Sequence, residues 1–308
     1  LQAASIQKFV SAIEYELSQF DCSVEKRPGR VTIRRLNKAE YNNTIRDLTG
    51  LDLHLADDFP SDDVGNGFDN IGEVLSIPPI LLEKYIQAAE EIAAAIWQDP
   101  AIRKQVFPYS PNSESLEDRV FAATENVRLF AMKAFRRPIR EKEAQRFLQL
   151  MRDVWERDGT EAEIMQTITV AILSNPNFIF RVEDEPIEEQ FDTGEKVGTR
   201  FLNNYELASR LSYFLWSSMP DERLFELAEQ GELVKPTVLV AESQRMLRDP
   251  KASALVENFA GQWLQLRDIE RLSPDPTLFP NYSKELGRSM RQETEVFFSR
   301  IIQEDRNV

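Results

Sequence analysis

The chain has 308 residues, 42% apolar and 29% charged, an ordinary folded composition with enough length to bury cores without disulfide staples. Its 52 acidic against 37 basic residues leave a formal charge of −15, which excludes a general nucleic-acid binder and a surface made for anionic lipid heads, since both need a cationic excess. One cysteine, Cys22, and one histidine, His54, exclude an internal disulfide, a thiolate metal cluster, a multi-histidine metal site and the Cys-x-x-Cys-His attachment of a c-type haem.

The dominant period along the chain is 3.6. Ile6, Phe9, Val10, Ile13, Leu17 and Phe20 form one apolar stripe and predict a connector helix within 1–23. There is no initiator Met, no basic start and no apolar run of membrane-spanning length, and the chain stops just after a strong helical run. It is expected to be a piece of a longer protein. Val31-Thr32-Ile33 is a short β-type run. Asn37-x-x-Glu40 then opens a helix as a capping box, in which the Asn side chain accepts from the third helical amide and the Glu reaches back to the cap amide. Pro79 stands where a helix can begin, followed by an apolar stripe from Leu81 to Ile96 that ends near Asp99-Pro100. Further stripes run through Leu116 to Phe135, Phe147 to Trp155 and Ile164 to Leu173, the last behind a second capping box, Thr160-x-x-Glu163. Phe178 to Val182 is the other β-type run. Asn203-x-x-Glu206 repeats the capping box, Asp221, Asp249 and Ser283 are further caps, and Gly231 reads as a helix stop.

These elements predict a mostly α chain of multi-helix, bundle-like modules with at most one or two short strands. The expected organisation is a connector helix at 1–23, a first module at 24–108, a second at 109–183, an acidic linker at 184–198 and a third module at 199–308. The linker reading rests on seven carboxylates between Glu183 and Glu195 with Pro186, Gly194 and no base. The softer boundary rests on the loop cluster Pro108 to Ser113.

No phosphate-binding loop of the Gly-x-x-x-x-Gly-Lys type occurs, and Gly65-Asn66-Gly67 fails as a dinucleotide fingerprint because Asn70 stands where the third Gly belongs. His54 lies among leucines with no serine motif, and Cys22 has no activating neighbour. The most distinctive stretch is Asp57 to Asn70, which gathers Asp and Asn oxygens around two glycines. Asp62, Asp63, Asn66, Asp69 and Asn70 are candidate calcium ligands, because calcium takes six to eight hard oxygens from a loop able to wrap around it. The alternatives are an ordinary turn whose acids pair with Arg30, Arg34 or Arg35, and carboxylates facing a substrate. The aromatics of the last third (Tyr213, Phe214, Trp216, Phe259, Trp263, Phe279, Tyr282, Phe297 and Phe298) read as core, with a partner groove or cofactor face as the alternative.

Several ordered motifs carry a family resemblance. The run Arg30 to Thr44, with Asp57-Asp58-Phe59-Pro60 and Gly67-Phe68-Asp69-Asn70-Ile71-Gly72, resembles the opening module of a planctomycete-type family of large polypeptides that join a c-type cytochrome domain to consecutive domains of unknown function. Phe135-Arg136-Arg137-Pro138 with Glu143, and Leu173 to Phe178, resemble its second module, with Arg140 where the family often has a capping Thr. Leu207 to Asp221 and Asn258 to Leu264 resemble its third. The resemblance covers about residues 24 to 308. It implies an extracytoplasmic, periplasmic-type setting, with haem c on an upstream domain, and it supplies no catalytic residues. The leading expectation is a helical, non-haem scaffold or docking region for the attached cytochrome, the downstream modules and a partner or substrate. The acidic balance favours a basic protein partner. The alternatives are part of an oxidoreductase acting on an extracellular substrate such as carbohydrate, in which the Asp57–Asn70 loop faces a cleft with Arg34 or Arg35, and a calcium-stabilised structural module.

Overall fold

A computed structural model describes residues 8–12, 15, 33–113, 115–183 and 201–304. Residues 8–12 and 15 are helical; the rest of the expected connector helix, with Cys22, lies outside the described residues, as do Arg30, Val31, Thr32 and the acidic linker at 184–198. No described helix is long and apolar enough to cross a membrane.

The chain is mostly α, and its helices begin where local chemistry provides for them. Strand β1 (Arg34–Arg35) leads into α1 (Lys38–Thr49), whose cap Asn37 accepts from the Glu40 amide while the Glu40 carboxylate accepts from the Asn37 amide. Gly50, at φ +80°, ends α1 in the left-handed region that glycine adopts without Cβ strain. Helix α2 (Pro79–Gln98) starts on its proline. Asp99 then ends α2 and caps α3 (Pro100–Val106), a short helix that the sequence reading passed over as the end of a longer one. The second segment holds α4 (Leu116–Phe135), α5 (Glu141–Trp155), α6 (Glu161–Leu173) and the short α7 (Pro176–Ile179). Arg140 cannot do what a Thr cap does, yet half of the box survives, because Glu143 accepts from the Arg140 amide at 2.7 Å. Thr160 and Glu163 form the full box of α6.

The β-type run at Phe178 to Val182 divides between two structures. Asn175 caps and Pro176 starts one helical turn, so Phe178 and Ile179 are helical, and only Phe180–Arg181 form strand β2. β2 pairs antiparallel with β1, with Arg34 opposite Arg181 and Arg35 opposite Phe180. The third segment holds α8 (Asn204–Trp216), α9 (Glu222–Glu229) and α10 (Pro236–Leu247), then a wide helical stretch (Leu255–Ala260) running into α11 (Gly261–Trp263), a 3₁₀ stretch (Leu266–Arg271) and α12 (Lys284–Glu304). Asn203, Asp221 and Ser283 cap as their spacing predicts, and Gly231 sits at φ +72° after α9.

The first and second segments bury one core. α2 packs along α6, and the core runs without a break from Leu36 and Ile45 through Ile92 and Phe130 to Ile172 and Ile179. Its centre is aromatic: Tyr41 lies 5.1 Å from Phe59, 5.4 Å from Tyr85 and 5.9 Å from Phe178 between ring centroids, in the tilted and edge geometries that ring quadrupoles favour. The loop cluster at 108–113 is thus a connection across a shared core. The third segment has its own smaller core around Trp216, Leu224, Leu233 and Met246, and the Trp216 indole donates to the Met246 carbonyl at 3.0 Å. Tyr213 and Phe225 reach from the third segment into the first core.

The aromatic residues of the last third are not mostly core. Tyr213 and Trp216 are buried, whereas Phe214, Phe259, Trp263, Phe279 and Phe297 are exposed. Helical spacing reports which residues share a face and says nothing about whether another element covers that face. α12 packs chiefly on the Leu266–Arg271 and Leu255–Ala260 stretches, which cover one side of it.

Candidate functional site

Where the first and third segments meet, they enclose a groove of about 1060 Å³. One wall is the first two turns of α1 together with the loop at 57–69, and the other is the stretch from Pro250 to Arg271, with Trp216 contributing an edge. The walls are bolted together at several points. Thr44 and Tyr213 hydroxyls share a buried hydrogen bond at 2.8 Å, and Asp47 accepts from Ser218 at 2.6 Å and from Lys251 at 2.9 Å. Asp69 takes Arg267 at 2.6 Å, its amide donates to Gln262 at 2.8 Å, and the Phe68 ring stacks on Phe259.

The loop that carries the candidate metal ligands is fixed by bonds to protein. Asp62 accepts from Arg35 at 2.8 Å and from the Lys38 amide at 2.8 Å. Asp69 accepts from Asn37 at 2.8 Å as well as from Arg267. Asn66 and Gly67 both have positive φ, and Gly65 and Phe68 exchange two backbone hydrogen bonds of 2.9 Å. That is the two-residue type I′ turn for which Asn-Gly is the preferred sequence, so the Gly-Asn-Gly segment is a turn. Asp63 and Asn66 are exposed and Asn70 is half-buried. Among the described residues no three His, Cys, Asp or Glu side chains lie close enough to hold a metal ion. Both carboxylate oxygens of Asp62 and of Asp69 already accept a hydrogen bond from protein. Arg35 is itself buried. Burial works against its charge, but the neighbouring Tyr85 and Asp62 hold its pKa above the usual value. Burial pushes the Tyr85 phenol up to about 12. Arg35 therefore braces the loop from beneath, while Arg34 turns to another cavity. His54 is exposed at the groove edge beside Asp52 and Asp57.

The groove's charges balance. Lys38, Arg46, Lys251, Arg267 and Arg271 face Asp57, Asp62, Asp69, Glu257 and Asp268, five of each sign. Its amides are more informative. Asn42 donates to Asp57 and accepts from the Ala56 amide. Asn43 donates to the Ser217 carbonyl and accepts from Arg46. Asn258 donates to the Ser217 hydroxyl and accepts from Arg267. Gln262 donates to the Asn258 carbonyl and accepts from the Asp69 amide. Each of the four thus holds its place with one N–H and one oxygen lone pair, where an amide side chain carries two of each. All four lie in motif runs visible in the sequence, Arg30 to Thr44 and Asn258 to Leu264, but nothing local showed that the two runs face one groove, because they stand about 200 positions apart.

A second cavity of about 400 Å³ lies where all three segments meet. Arg34, Arg136, Arg137, Arg140, Arg181 and Arg210 line it, against Glu183 and Glu206.

Three consecutive stretches match family models. Residues 34–98 match PSD3, Protein of unknown function (DUF1587); residues 122–183 match PSD5, Protein of unknown function (DUF1595); and residues 202–308 match PSD4, Protein of unknown function (DUF1592). The chain therefore carries three consecutive domains of unknown function. No curated protein matches the chain, and no solved structure does.

Proposed function

We propose that this chain is a helical, non-haem docking region of an extracytoplasmic, cytochrome-c-linked polypeptide, and that the groove between its first and third segments seats a polar, uncharged, hydroxyl-rich ligand such as a carbohydrate. The observation that carries the ligand class is the set of four half-bonded amides. A hydroxyl both donates and accepts, as does each of the amide side chains of Asn42, Asn43, Asn258 and Gln262. The balanced charge of the walls supports the same reading, since a charged ligand would meet as much repulsion as attraction. Fixed bonds within the walls keep these groups in place before the ligand arrives, which lowers the ordering cost of binding. Under this reading the family resemblance places haem c on an upstream domain, and the one cysteine and one histidine here form no Cys-x-x-Cys-His attachment. The extracytoplasmic setting and the cytochrome rest on the ordered motifs in residues 30–44, 135–138 and 207–221.

Isothermal titration of the chain with neutral tetrasaccharides of glucose, xylose and mannose tests the proposal. At least one should bind saturably, and Asn258→Ala and Gln262→Ala should each weaken it by about tenfold, as expected for losing one or two hydrogen bonds to a neutral group. Absence of heat from every sugar, or binding that both folded variants leave unchanged, would overturn it.

A further inference from the structure

The arginine-lined cavity stands apart from the groove and calls for a different ligand. Six arginines and two glutamates line it, in a chain whose total charge is −15, although Glu143 and Glu40 reach two of those arginines from outside the lining. Some of these arginines are neutralised within the protein. Arg137 holds Glu143 through both terminal nitrogens, Arg210 grips Glu183 at 2.5 and 2.7 Å, and Arg181 reaches Glu40 at 3.4 Å. Others are not. Arg136 is buried and donates through Nη2 to the carbonyls of Asn177, Phe178 and Phe180 and through Nη1 to the Tyr213 hydroxyl, and no carboxylate among the described residues pairs with it. Arg34 has no ion pair among the described residues and is part-buried. It stands directly opposite Arg181 in the two-strand sheet, a register in which like charges repel. Burial, and then the charge of Arg181, pull the Arg34 pKa down from its usual value against the opposing pull of Glu40 and Glu183. The Arg181 Nε–H is buried and unpaired.

A fold does not gain by holding guanidinium groups against each other across a sheet with a donor unused. The arrangement makes sense when an anion fills the space between them, since planar guanidinium forks bind phosphate-type oxygens in pairs. The cavity is large enough for a small organic ligand around the anionic group. We infer that this cavity is a binding site for a phosphate-type oxyanion, either free or as the ester group of a small molecule, anchored by Arg34, with Arg181 opposite it in the sheet and Arg140 at the helix start that borders the cavity.

Melting curves of the full chain at constant ionic strength, with chloride exchanged for inorganic phosphate, pyrophosphate or phenyl phosphate, test the inference. A ligand that binds only the native state raises the melting temperature saturably. We expect at least one of the three to do so, with tighter binding of phenyl phosphate than of inorganic phosphate marking the ester as the natural form and the reverse order marking the free ion. Arg34→Met should cut the affinity about tenfold or more, while the ligand-free melting temperature holds or rises because a cross-strand repulsion is gone. Arg140→Gln, at an exposed helix start, supplies a second variant that leaves the core intact and should also weaken binding. Shifts no larger than the chloride control, or shifts that neither variant reduces, would overturn the inference. So would an Arg34→Met variant that melts lower without ligand, which would make Arg34 a purely structural residue.

Discussion

Glu242 shows how a single buried charge is held in this fold. Its carboxylate accepts from Arg223 at 2.7 Å and from Arg245 at 2.6 Å, and Arg245 also holds Asp221, the cap of α9, at 2.9 Å. Burial alone would raise the Glu242 pKa, but the hydrogen bonds and charges of Arg245 and Arg223 outweigh it and hold the pKa below the ordinary carboxylate value. A pKa depressed in the fold contributes stability above the unfolded value, near 4.3, and that contribution disappears as the pH falls through the folded value. At pH 7, Glu242→Gln should therefore lower the unfolding free energy by about 1–3 kcal/mol. The difference between the variant and the parent should narrow as the pH falls below the unfolded value and close once it has passed the folded one, because protonation then removes the same charge from the parent. Urea unfolding at a series of pH values measures this, and a difference that does not narrow in acid would contradict it. The same scale explains why the candidate site was only partly legible. The acids of the Asp57–Asn70 loop were visible, and so was Arg35 as a partner, but nothing local announced that Asp69 would meet Arg267 from the far end of the chain.

At the scale of elements, the helix starts were the most legible features because a cap is a contract between residues three positions apart. Asn37, Thr160 and Asn203 each kept it. Two of them differ in an instructive way. Asn203 serves its helix, whereas Asn37 also donates to Asp69 across the loop and so ties α1 to the groove wall. Asn203→Ala should cost about 1 kcal/mol, the usual value of an N-cap. Asn37→Ala should cost about 2 kcal/mol, a cap plus a hydrogen bond to a charged group. It should also speed amide exchange at 66–70, which the Asn203 variant leaves alone. Equal costs with no local change at the loop would show that the Asn37 to Asp69 bond contributes nothing. Strands were less legible, since two-residue strands have no periodicity to read, and Pro176 converted half of an apparent β run into a helical turn. The exposed aromatics were misread for a related reason: the apolar stripe was real, but its coverage is a tertiary fact.

At the scale of the whole molecule, three matched segments make two packed bodies. The first two share a core, and the third keeps its own while sending Tyr213 and Phe225 into the other. Each of the two cavities exists only because segments distant in sequence meet, and together they divide the molecule's chemistry. One is charge-balanced and rich in amides, the other cationic within an acidic chain. Composition excludes a Cys-x-x-Cys-His haem attachment within this chain, because one cysteine and one histidine cannot build it. It could not reveal either cavity, because both are made of common residues in uncommon company. The central claim is that the seam between the first and third segments is a preformed groove for a polar, uncharged ligand. Hydrogen exchange of the chain with and without the tightest-binding neutral tetrasaccharide tests it most directly. The account predicts added protection confined to residues 38–46, 61–69 and 253–268, on both walls at once. Protection on one wall alone, or centred on the arginine-lined cavity or the exposed face of α12, would contradict it.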